Sequence, residues 1–390
     1  MSNNEEEKLI SQAVLFLSQL DPQETLDRNL SKLIRKTFPL WPIPLIGLVI
    51  EQSELRKKAL KKFTLSSQMI FTRKGLEQST SENLAIFTAS LFKGTDEILD
   101  VCAGLGGNTI GLLKKFGKVT TVEPIALLNA IHEHNLKLYY PCIKINRIIA
   151  TLDQNHLHNF PFLFIDPDRR MSGQKSYTIS DHSPDINFIL NNISLVKEVI
   201  IKLSPMVNAD QTAAGFTSLY LADEMELKQN LWLGGSLKNT PITFAIQYEG
   251  KIFDSLHLPS YQVLLDNYEC IYEMNPAIIK AGESTLFSEK FHLQPIADSP
   301  KHFIGQNQDL YPFANSWKIY LKEDFHLKNL TSLLNSLPFE RFEIKPIGME
   351  ESEVKKLIRK WGKGQGQAAT IFIFKKKDFK QIIVGVKTEH

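Results

Sequence analysis

The sequence predicts an α/β fold built on a doubly wound parallel sheet, with a helical cap before it and a small α+β unit after it. Two observations lead to this fold class. From residue 84 onward, short apolar runs alternate with stretches of helical periodicity, and the first of these runs ends in a glycine-rich turn. Strands that alternate with helices form parallel βαβ units, which bind ligands beyond the carboxyl ends of their strands. We therefore expect the functional residues at those ends.

The composition is that of a folded protein. Its 390 residues allow two or three domains, at about 100–200 residues per domain. Hydrophobic residues make up 43% and charged residues 23%, which excludes a disordered chain. The acidic start MSNNEEEKLI is unlike a secretory signal, and Cys102, Cys142 and Cys270 form neither a disulfide framework nor a CxxC metal pair. We expect a cytoplasmic protein with no membrane span and no metal site.

Residues 1–80 are predicted to form the helical cap. Apolar residues recur near its start at helical spacing: Leu9, Ala13, Leu17 and Leu20. The apolar run at 38–50 contains three prolines and is shorter than the roughly 20 residues that cross a bilayer, so it predicts a packed loop or a short strand. A basic run follows, which is either a solvated helix face or an RNA contact: Arg56, Lys57, Lys58, Lys61 and Lys62.

The rest of the chain divides into three predicted segments. Residues 81–270 form the doubly wound domain, residues 271–315 a linker or ferredoxin-like segment, and residues 316–390 the α+β unit. The strands predicted in the doubly wound domain are 97–101, 118–122, 143–149, 162–165, 199–203 and 242–247. Those of the α+β unit are 317–321, 342–345, 369–374 and 381–386, with helices near 327–337 and 350–360.

Charge is unevenly distributed. Residues 316–390 carry 15 Lys and Arg against nine Asp and Glu, whereas the remainder carries 30 against 34. The C-terminal unit is therefore the basic part of the chain. Its basic residues form either a surface for a nucleic-acid backbone or a solvated face: Lys355, Lys356, Arg359, Lys360, Lys363, Lys375, Lys376, Lys377 and Lys380.

A nucleotide-type cofactor site is predicted after the first central strand, 97–101. The strand runs into a turn in which Gly104, Gly106 and Gly107 let the backbone turn sharply and approach a ligand closely. The next predicted strand ends in Glu123, 19 residues after Gly104, where a carboxylate accepts hydrogen bonds from both hydroxyls of a ribose. The alternative is an ordinary strand-to-helix turn with a surface glutamate.

Asp100 decides between two cofactor classes. It stands four residues before Gly104, so its carboxylate lies beside the turn and would repel a pyrophosphate. The same carboxylate suits the ammonium and sulfonium of S-adenosylmethionine. The segment 100–107 followed by Glu123 resembles motifs I and II of the class I S-adenosylmethionine-dependent methyltransferases. The resemblance implies a Rossmann-like fold, methyl transfer (EC 2.1.1.-) and cofactor contacts from Asp100, Ala103, Gly104, Gly106, Gly107 and Glu123.

The apolar strand 162–165 ends in DPDRR, which resembles motif IV of the same family. The resemblance implies that donor and acceptor meet there, with Asp166 beside the cofactor and positioning or deprotonating the acceptor, and with Asp168 and Arg169 shaping the acceptor pocket. Amino-methylating members often have Asp-Pro-Pro-aromatic. Here Asp168 and Arg169 replace the second proline and the aromatic, so a guanidinium plane would stack on a base or grip a phosphate. An ion pair among the acids and arginines is the structural alternative.

Two further segments extend the resemblance over residues 70–390. Together with the basic C-terminal unit, the segments 71–80 and 201–206 are similar to a bacterial group of RNA methyltransferases that carry a THUMP-like C-terminal domain. This resemblance implies that Gln78, Ser79 and Thr80 lie near the methionine end of the cofactor, although Ser79 or Thr80 alone is equally typical of a helix N-cap. Asp153, after the third strand, is predicted to accept from the adenine amine, with a turn residue as the alternative.

We therefore expect S-adenosylmethionine-dependent methyl transfer to an RNA nucleotide, of tRNA or rRNA, with the basic C-terminal unit binding the RNA. A small-molecule or protein methyltransferase would use the same cofactor site but would leave the basic unit without a role. A non-catalytic RNA-binding protein with a relic cofactor fold is the second alternative. The sequence does not predict an oligomeric state.

Overall fold

A computed structural model of the chain describes residues 30–37, 39, 41, 43–169, 182–207, 209–259, 268–296, 299–324, 330–347, 367–376 and 379–389. They form two compact units. The first comprises the described residues up to 218 together with 229–241, and the second comprises 219–228 together with those from 242 onward. Several predicted features lie outside the described residues: Leu9, Ala13, Leu17, Leu20, Arg170, Lys377, the helix at 350–360 and the basic residues at 355–363.

The first unit contains helices and mostly parallel strands. Its helices are α1 (Leu30–Thr37), α2 (Ile43–Ala59), α3 (Arg73–Gln78), α4 (Glu82–Ser90), α5 (Gly107–Lys115), α6 (Ala126–Tyr139), α7 (Gln154–His158) and α8 (Ile186–Asn192). Its strands are β1 (Glu97–Val101), β2 (Lys118–Val122), β3 (Asn146–Ile148), β4 (Phe162–Ile165), β5 (Asp168–Arg169), β6 (His182–Ser183) and β7 (Glu198–Leu203). Strands β8 (Phe216–Asp223) and β9 (Glu226–Gly235) carry the chain between the units.

The sheet of the first unit places its strands in the order β3-β2-β1-β4-β7-β9. Neighbours are parallel except for β9, which is antiparallel to β7. The chain winds outward from β1 to β3 and then returns to β4, so the winding direction reverses between β1 and β4. A crevice at the carboxyl ends of these two strands is the usual ligand site of such sheets. The predicted α/β fold is confirmed.

The core of this unit explains why its strands are continuous apolar runs. Leu99, Leu163, Ile165, Val199 and Ile201 are all fully buried or nearly so. A parallel sheet covered by helices is buried on both faces, so successive residues of a strand are apolar instead of alternating. The acids that directly follow β2 and β4, Glu123 and Asp166, therefore stand out at the carboxyl ends of their strands.

The described part of the N-terminal cap contains α1, α2 and α3, but one prediction for it is wrong. The segment predicted as a loop or short strand contains the start of α2, because Pro44 lies in the first turn of that helix, where a missing N–H costs little. The basic run is not uniformly a solvated face. Arg56 is buried and donates to the Met69 carbonyl at 2.9 Å. Lys62 donates to the Ser79 carbonyl at 2.8 Å, just beyond the end of α3.

The second unit is α+β. It contains β10 (Phe244–Tyr248) between β8 and β11 (Lys251–Asp254), and a seven-stranded sheet in the order β13-β14-β12-β15-β18-β17-β16. The strands of that sheet are β12 (Cys270–Met274), β13 (Gln294–Pro295), β14 (His302–Gly305), β15 (Ala314–Asp324), β16 (Arg341–Ile347), β17 (Ala368–Lys376) and β18 (Phe379–Lys387). Its helices are α9 (Pro276–Lys280), α10 (Ser284–Lys290) and α11 (Leu330–Ser336).

This sheet joins two segments that the sequence separates at residue 315. Strand β12 pairs antiparallel with β15, from Cys270 opposite Lys318 to Met274 opposite Ala314. The boundaries predicted at 80, 270 and 315 and the THUMP-like character of the C-terminal unit stay predictions. Within the described ranges, no helix is long and apolar enough to cross a membrane.

Gly111 controls how closely α4 and α5 approach. A Cβ built on Gly111 would lie 2.3 Å from both the carbonyl carbon and the oxygen of Ala85. We expect Gly111→Ala to lower the free energy of unfolding by about 1–3 kcal/mol, because the backbone of one of the two helices must move to make room for the added methyl group. Gly47→Ala is the matched control: Gly47 is at an exposed position of α2 where a Cβ meets nothing within 4 Å, and the change should stabilise by about 0.5–1 kcal/mol. Urea unfolding measures both, and equal effects would contradict the packing argument.

Candidate active site

The glycine-rich turn after β1 has the geometry that the sequence predicts. Gly104 (φ +52°) and Gly106 (φ +93°) are both in the left-handed region, and Gly106 is the N-cap of α5. A Cβ built on Gly104 would meet only the Cys102 carbonyl oxygen, at 3.9 Å. The space beside Gly104 is therefore open, which allows a ligand to approach the backbone closely.

Glu123 follows β2 and faces this turn. One carboxylate oxygen accepts from the Gly104 N–H at 3.2 Å, and the other accepts from the Ile125 N–H at 3.2 Å. The side chain is buried, and burial raises its pKa above the ordinary range despite these two backbone hydrogen bonds. Each carboxylate oxygen has a second lone pair. Glu123 can therefore hold the turn and still accept from the hydroxyls of a bound ribose.

Asp100 is completely buried behind the turn. Its Oδ2 accepts from the Thr109 hydroxyl at 2.5 Å, and the same hydroxyl lies 3.0 Å from His132 Nε2. Its Oδ1 has no hydrogen-bond partner among the described residues. Burial raises the pKa of Asp100 to about 7, and the negative charges of Asp166 and Glu123 add to the effect. An unpartnered buried carboxylate oxygen is costly, and it suits a site that receives a cation.

At the end of β4, Asp166 is held by two side chains. Its Oδ2 accepts from Lys202 Nζ at 2.6 Å and from Asn108 Nδ2 at 3.1 Å. The Lys202 side chain is only 10% exposed and that of Asp166 is 27% exposed, so the ion pair is largely shielded from water. Lys202 also donates to the Gln78 carbonyl at 3.2 Å. These contacts connect β4, β7, α5 and α3 at one point.

Asp168 stands two residues further on and bonds to α3. Lys74 Nζ is ion-paired with its Oδ2, and Gln78 Nε2 donates to its Oδ1 at 3.2 Å. Both side chains of the ion pair are about half exposed. An ion pair between these acids and the arginines is the structural alternative that the sequence leaves open. In the structure, Asp166 and Asp168 are each paired with a lysine. Arg169 lies in β5, and its side chain is outside the described part of the structure.

Ser79 and Thr80 connect α3 to α4, and neither is an N-cap. The Ser79 hydroxyl donates to the Gly75 carbonyl at 2.6 Å, and the Thr80 hydroxyl accepts from Gln229 Nε2 at 3.1 Å. A Cβ built on Gly107 would lie 3.1 Å from the Thr80 carbonyl oxygen, so this connection packs directly against the glycine turn. Ala103 is buried, and its carbonyl accepts from the Gly106 N–H at 3.0 Å.

Asp153 is the N-cap of α7 and accepts from the His156 N–H at 3.0 Å. Its role as a local capping residue is therefore established, and a contact to adenine stays a prediction. Ile125 and Ile149, which follow β2 and β3, are 53% and 60% exposed. Exposed apolar side chains at the carboxyl ends of neighbouring strands are suitable walls for an aromatic base.

The sequence predictions missed Lys74, Asn108 and Lys202. Of these, Lys202 leaves a detectable signal, since it is a charged residue near the end of the apolar strand β7, on the side of the sheet where the other candidates lie. Asn108 and Lys74 leave weaker signals, because a polar residue in the first turn of a helix and a lysine on an exposed helix are both common.

Among solved structures, the chain is similar to a protein from Porphyromonas gingivalis W83 that is provisionally described as a methyltransferase. The two share 18% identity over 100% of each chain, with a TM-score of 0.68. This likeness shows the fold. No protein-family model matches the sequence, and no curated protein matches it.

Other solved structures are similar over smaller parts of the chain. A 16S rRNA N2 G1207 methyltransferase from T. thermophilus is 14% identical over 43% of each chain, with a TM-score of 0.31. A provisionally described RNA methyltransferase from Pyrococcus horikoshii is 15% identical over 46% of this chain and 96% of its own, with a TM-score of 0.30. Scores this low say nothing about the substrate of this chain.

Proposed function

We propose that the protein is an S-adenosylmethionine-dependent methyltransferase that acts on an RNA nucleotide. The observation that carries the proposal is the arrangement of side chains near the carboxyl ends of β1 and β4, between which the winding direction of the sheet reverses. An open glycine turn and the buried carboxylate of Glu123 lie on the β1–β2 side, and the carboxylate of Asp166 lies at the end of β4. The cytoplasmic location and the THUMP-like character of the C-terminal unit belong to the same proposal.

The residues present fit the cofactor. Glu123 would bind the ribose hydroxyls, Gly104 would allow close approach of the backbone, and Ile125 and Ile149 would flank the adenine, with Asp153 near its amine. The unpartnered Asp100 Oδ1 supports a cationic amino-acid end at the back of the site. Bound there, S-adenosylmethionine supplies an electrophilic methyl group.

On the acceptor side, the protein's task is to position a nucleophile in line with the methyl group. Asp166 would orient the acceptor and receive its proton. Asp168, held by Lys74 and Gln78, would form the outer wall of the acceptor pocket, with Arg169 beside it in sequence. Gln78 and the Ser79–Thr80 connection would complete the wall between the acceptor and the glycine turn.

An RNA acceptor is supported by the charge of the C-terminal unit. On β17 and β18, Lys375 stands directly opposite Lys380. Residues 316–390 carry 15 Lys and Arg against nine Asp and Glu, so a polyanion such as RNA is a reasonable partner for this unit. A small-molecule methyltransferase would leave this excess of positive charge without a role.

Cofactor binding is tested at Glu123. We expect Glu123→Ala to weaken S-adenosylmethionine binding by about 1–3 kcal/mol, roughly 5- to 150-fold, because buried polar groups lose their partners. Isothermal titration calorimetry measures the affinity. Glu97→Ala, at the opposite end of β1, is the matched control and should bind normally. Unchanged affinity in Glu123→Ala would remove Glu123 from the site.

RNA binding is tested at the β17–β18 turn. We expect charge reversal of Lys375, Lys376 and Lys377 to weaken RNA binding and to flatten its salt dependence. Each lysine that neutralises a phosphate should contribute about 0.7–0.9 to the log–log slope. Filter binding at several salt concentrations measures the affinity and the slope, and cofactor affinity should not change. If RNA affinity and slope keep their parent values, this turn is a solvated surface.

A further inference from the structure

Hydrogen-bond donors surround the proposed acceptor position at the end of β4. Lys202 Nζ and Asn108 Nδ2 both point at Asp166 Oδ2, at 2.6 and 3.1 Å. Next to them, Lys74 and Gln78 donate to Asp168. Lys202 is the less exposed of the two lysines, since its side chain is only 10% accessible. The acceptor would therefore react beside a largely desolvated ammonium group.

A neighbouring ammonium favours one kind of acceptor over another. A neutral nitrogen that attacks a sulfonium methyl group gains positive charge in the transition state, which a fixed cation opposes. A hydroxyl must instead lose its proton, and negative charge builds on its oxygen. Charge-assisted donors held in a water-poor site stabilise such an oxyanion strongly. When Asp166 takes that proton, its carboxylate becomes neutral and the Lys202 ammonium beside it is left uncompensated, which favours an oxygen acceptor over a base nitrogen.

The carboxylate of Asp166 is arranged to receive the proton. Both donors bind its Oδ2, whereas Oδ1 has no hydrogen-bond partner among the described residues. The side chain is 27% exposed, so Oδ1 is accessible to a substrate. A base with one oxygen anchored and the other available is positioned for proton transfer.

We propose that the methyl acceptor is a ribose 2′-hydroxyl of RNA, an inference that rests on the proposed function. Asp166 Oδ1 takes the hydroxyl proton, and the electron pair of the broken O–H bond forms the new oxygen–methyl bond. The methyl–sulfur bond breaks, and its electron pair stays on sulfur. Carboxylate and sulfonium become a neutral acid and a neutral thioether, so charge balances. Lys202 stabilises the oxygen while the charge develops.

The product identifies the acceptor atom directly. The full-length protein is incubated with methyl-labelled S-adenosylmethionine and total RNA from cells that lack it, and the RNA is then hydrolysed in alkali. A 2′-O-methyl group blocks cleavage of its own linkage, so we expect the label in alkali-stable dinucleotides. Label in mononucleotides would overturn the oxygen assignment but leave the RNA methyltransferase proposal standing. RNA without label would contradict both.

Lys202 is tested by two substitutions. We expect Lys202→Met to lower kcat about 100-fold, the scale of a lost oxyanion donor, while cofactor affinity stays within about twofold of the parent value. Lys202→Arg keeps the cation and should recover part of the rate. Lys114→Met, on the exposed end of α5, should have no effect. Full kcat in folded Lys202→Met would refute the proposed role of Lys202 in stabilising the oxygen. A parallel loss of cofactor affinity would assign Lys202 to the cofactor site. If Lys202→Met does not fold, Lys202→Arg and the labelled product decide.

Discussion

Asp166→Asn should lower methyl transfer about 100-fold or more while leaving S-adenosylmethionine affinity nearly unchanged. Asparagine has the same shape and keeps an oxygen that can accept from Lys202 and Asn108, so the hydrogen-bond geometry at the end of β4 is largely retained although the ion pair is lost. It has no basic group to receive a proton. The change therefore separates the chemical step from binding.

Single-turnover experiments with saturating cofactor and total RNA measure the rate of methyl transfer, and calorimetry measures the affinity for S-adenosylmethionine. Asp96→Asn is the matched control, because Asp96 is exposed and directly precedes the amino-terminal end of β1, whereas Asp166 follows the carboxyl end of β4. If Asp166→Asn loses rate and cofactor affinity equally, Asp166 is a cofactor ligand or the change damages the fold. A parent-like rate would exclude Asp166 from proton transfer.

The local geometry of the proposed cofactor side was largely predictable from the sequence. Parallel strands buried on both faces appear as apolar runs, so their ends are visible in the sequence, and a glycine turn after β1 is a local signal. Gly104 and Gly106 have the positive φ values that such a turn requires, and Glu123 lies against that turn, where it accepts from the Gly104 N–H. Each of these features depends on residues that are close in the chain or on adjacent strands.

The geometry of the proposed acceptor side depends on which distant strands pair in the tertiary fold and in which register. Ile165 on β4 pairs with Ile201 on β7, and this places Asp166 beside Lys202 across 36 residues of sequence. No local pattern predicts that pairing. The same is true of Lys74, which is 94 residues from Asp168. In the second unit, the pairing of β12 with β15 was missed because β12 has only five residues and leaves a weak periodic signal.

The ionisation of Asp100 should make the free energy of unfolding depend on pH. Its pKa is about 7 when folded and 3.8 when unfolded, so between these values the folded chain binds a proton that the unfolded chain has released. Stability from this group is fully present below the unfolded pKa and is lost as pH rises toward the folded pKa. Asp100→Asn removes this penalty but keeps an acceptor for the Thr109 hydroxyl.

We therefore expect the stability of Asp100→Asn relative to the parent to increase by about 2.5 kcal/mol between pH 5 and pH 7.5, at about 1.4 kcal/mol per pKa unit. Urea unfolding of both proteins without cofactor measures the difference. A difference that stays constant with pH would mean that Asp100 is ionised in the folded chain. Because an ionised Asp100 binds a cation best, a bound cofactor should reduce the pH dependence of the parent.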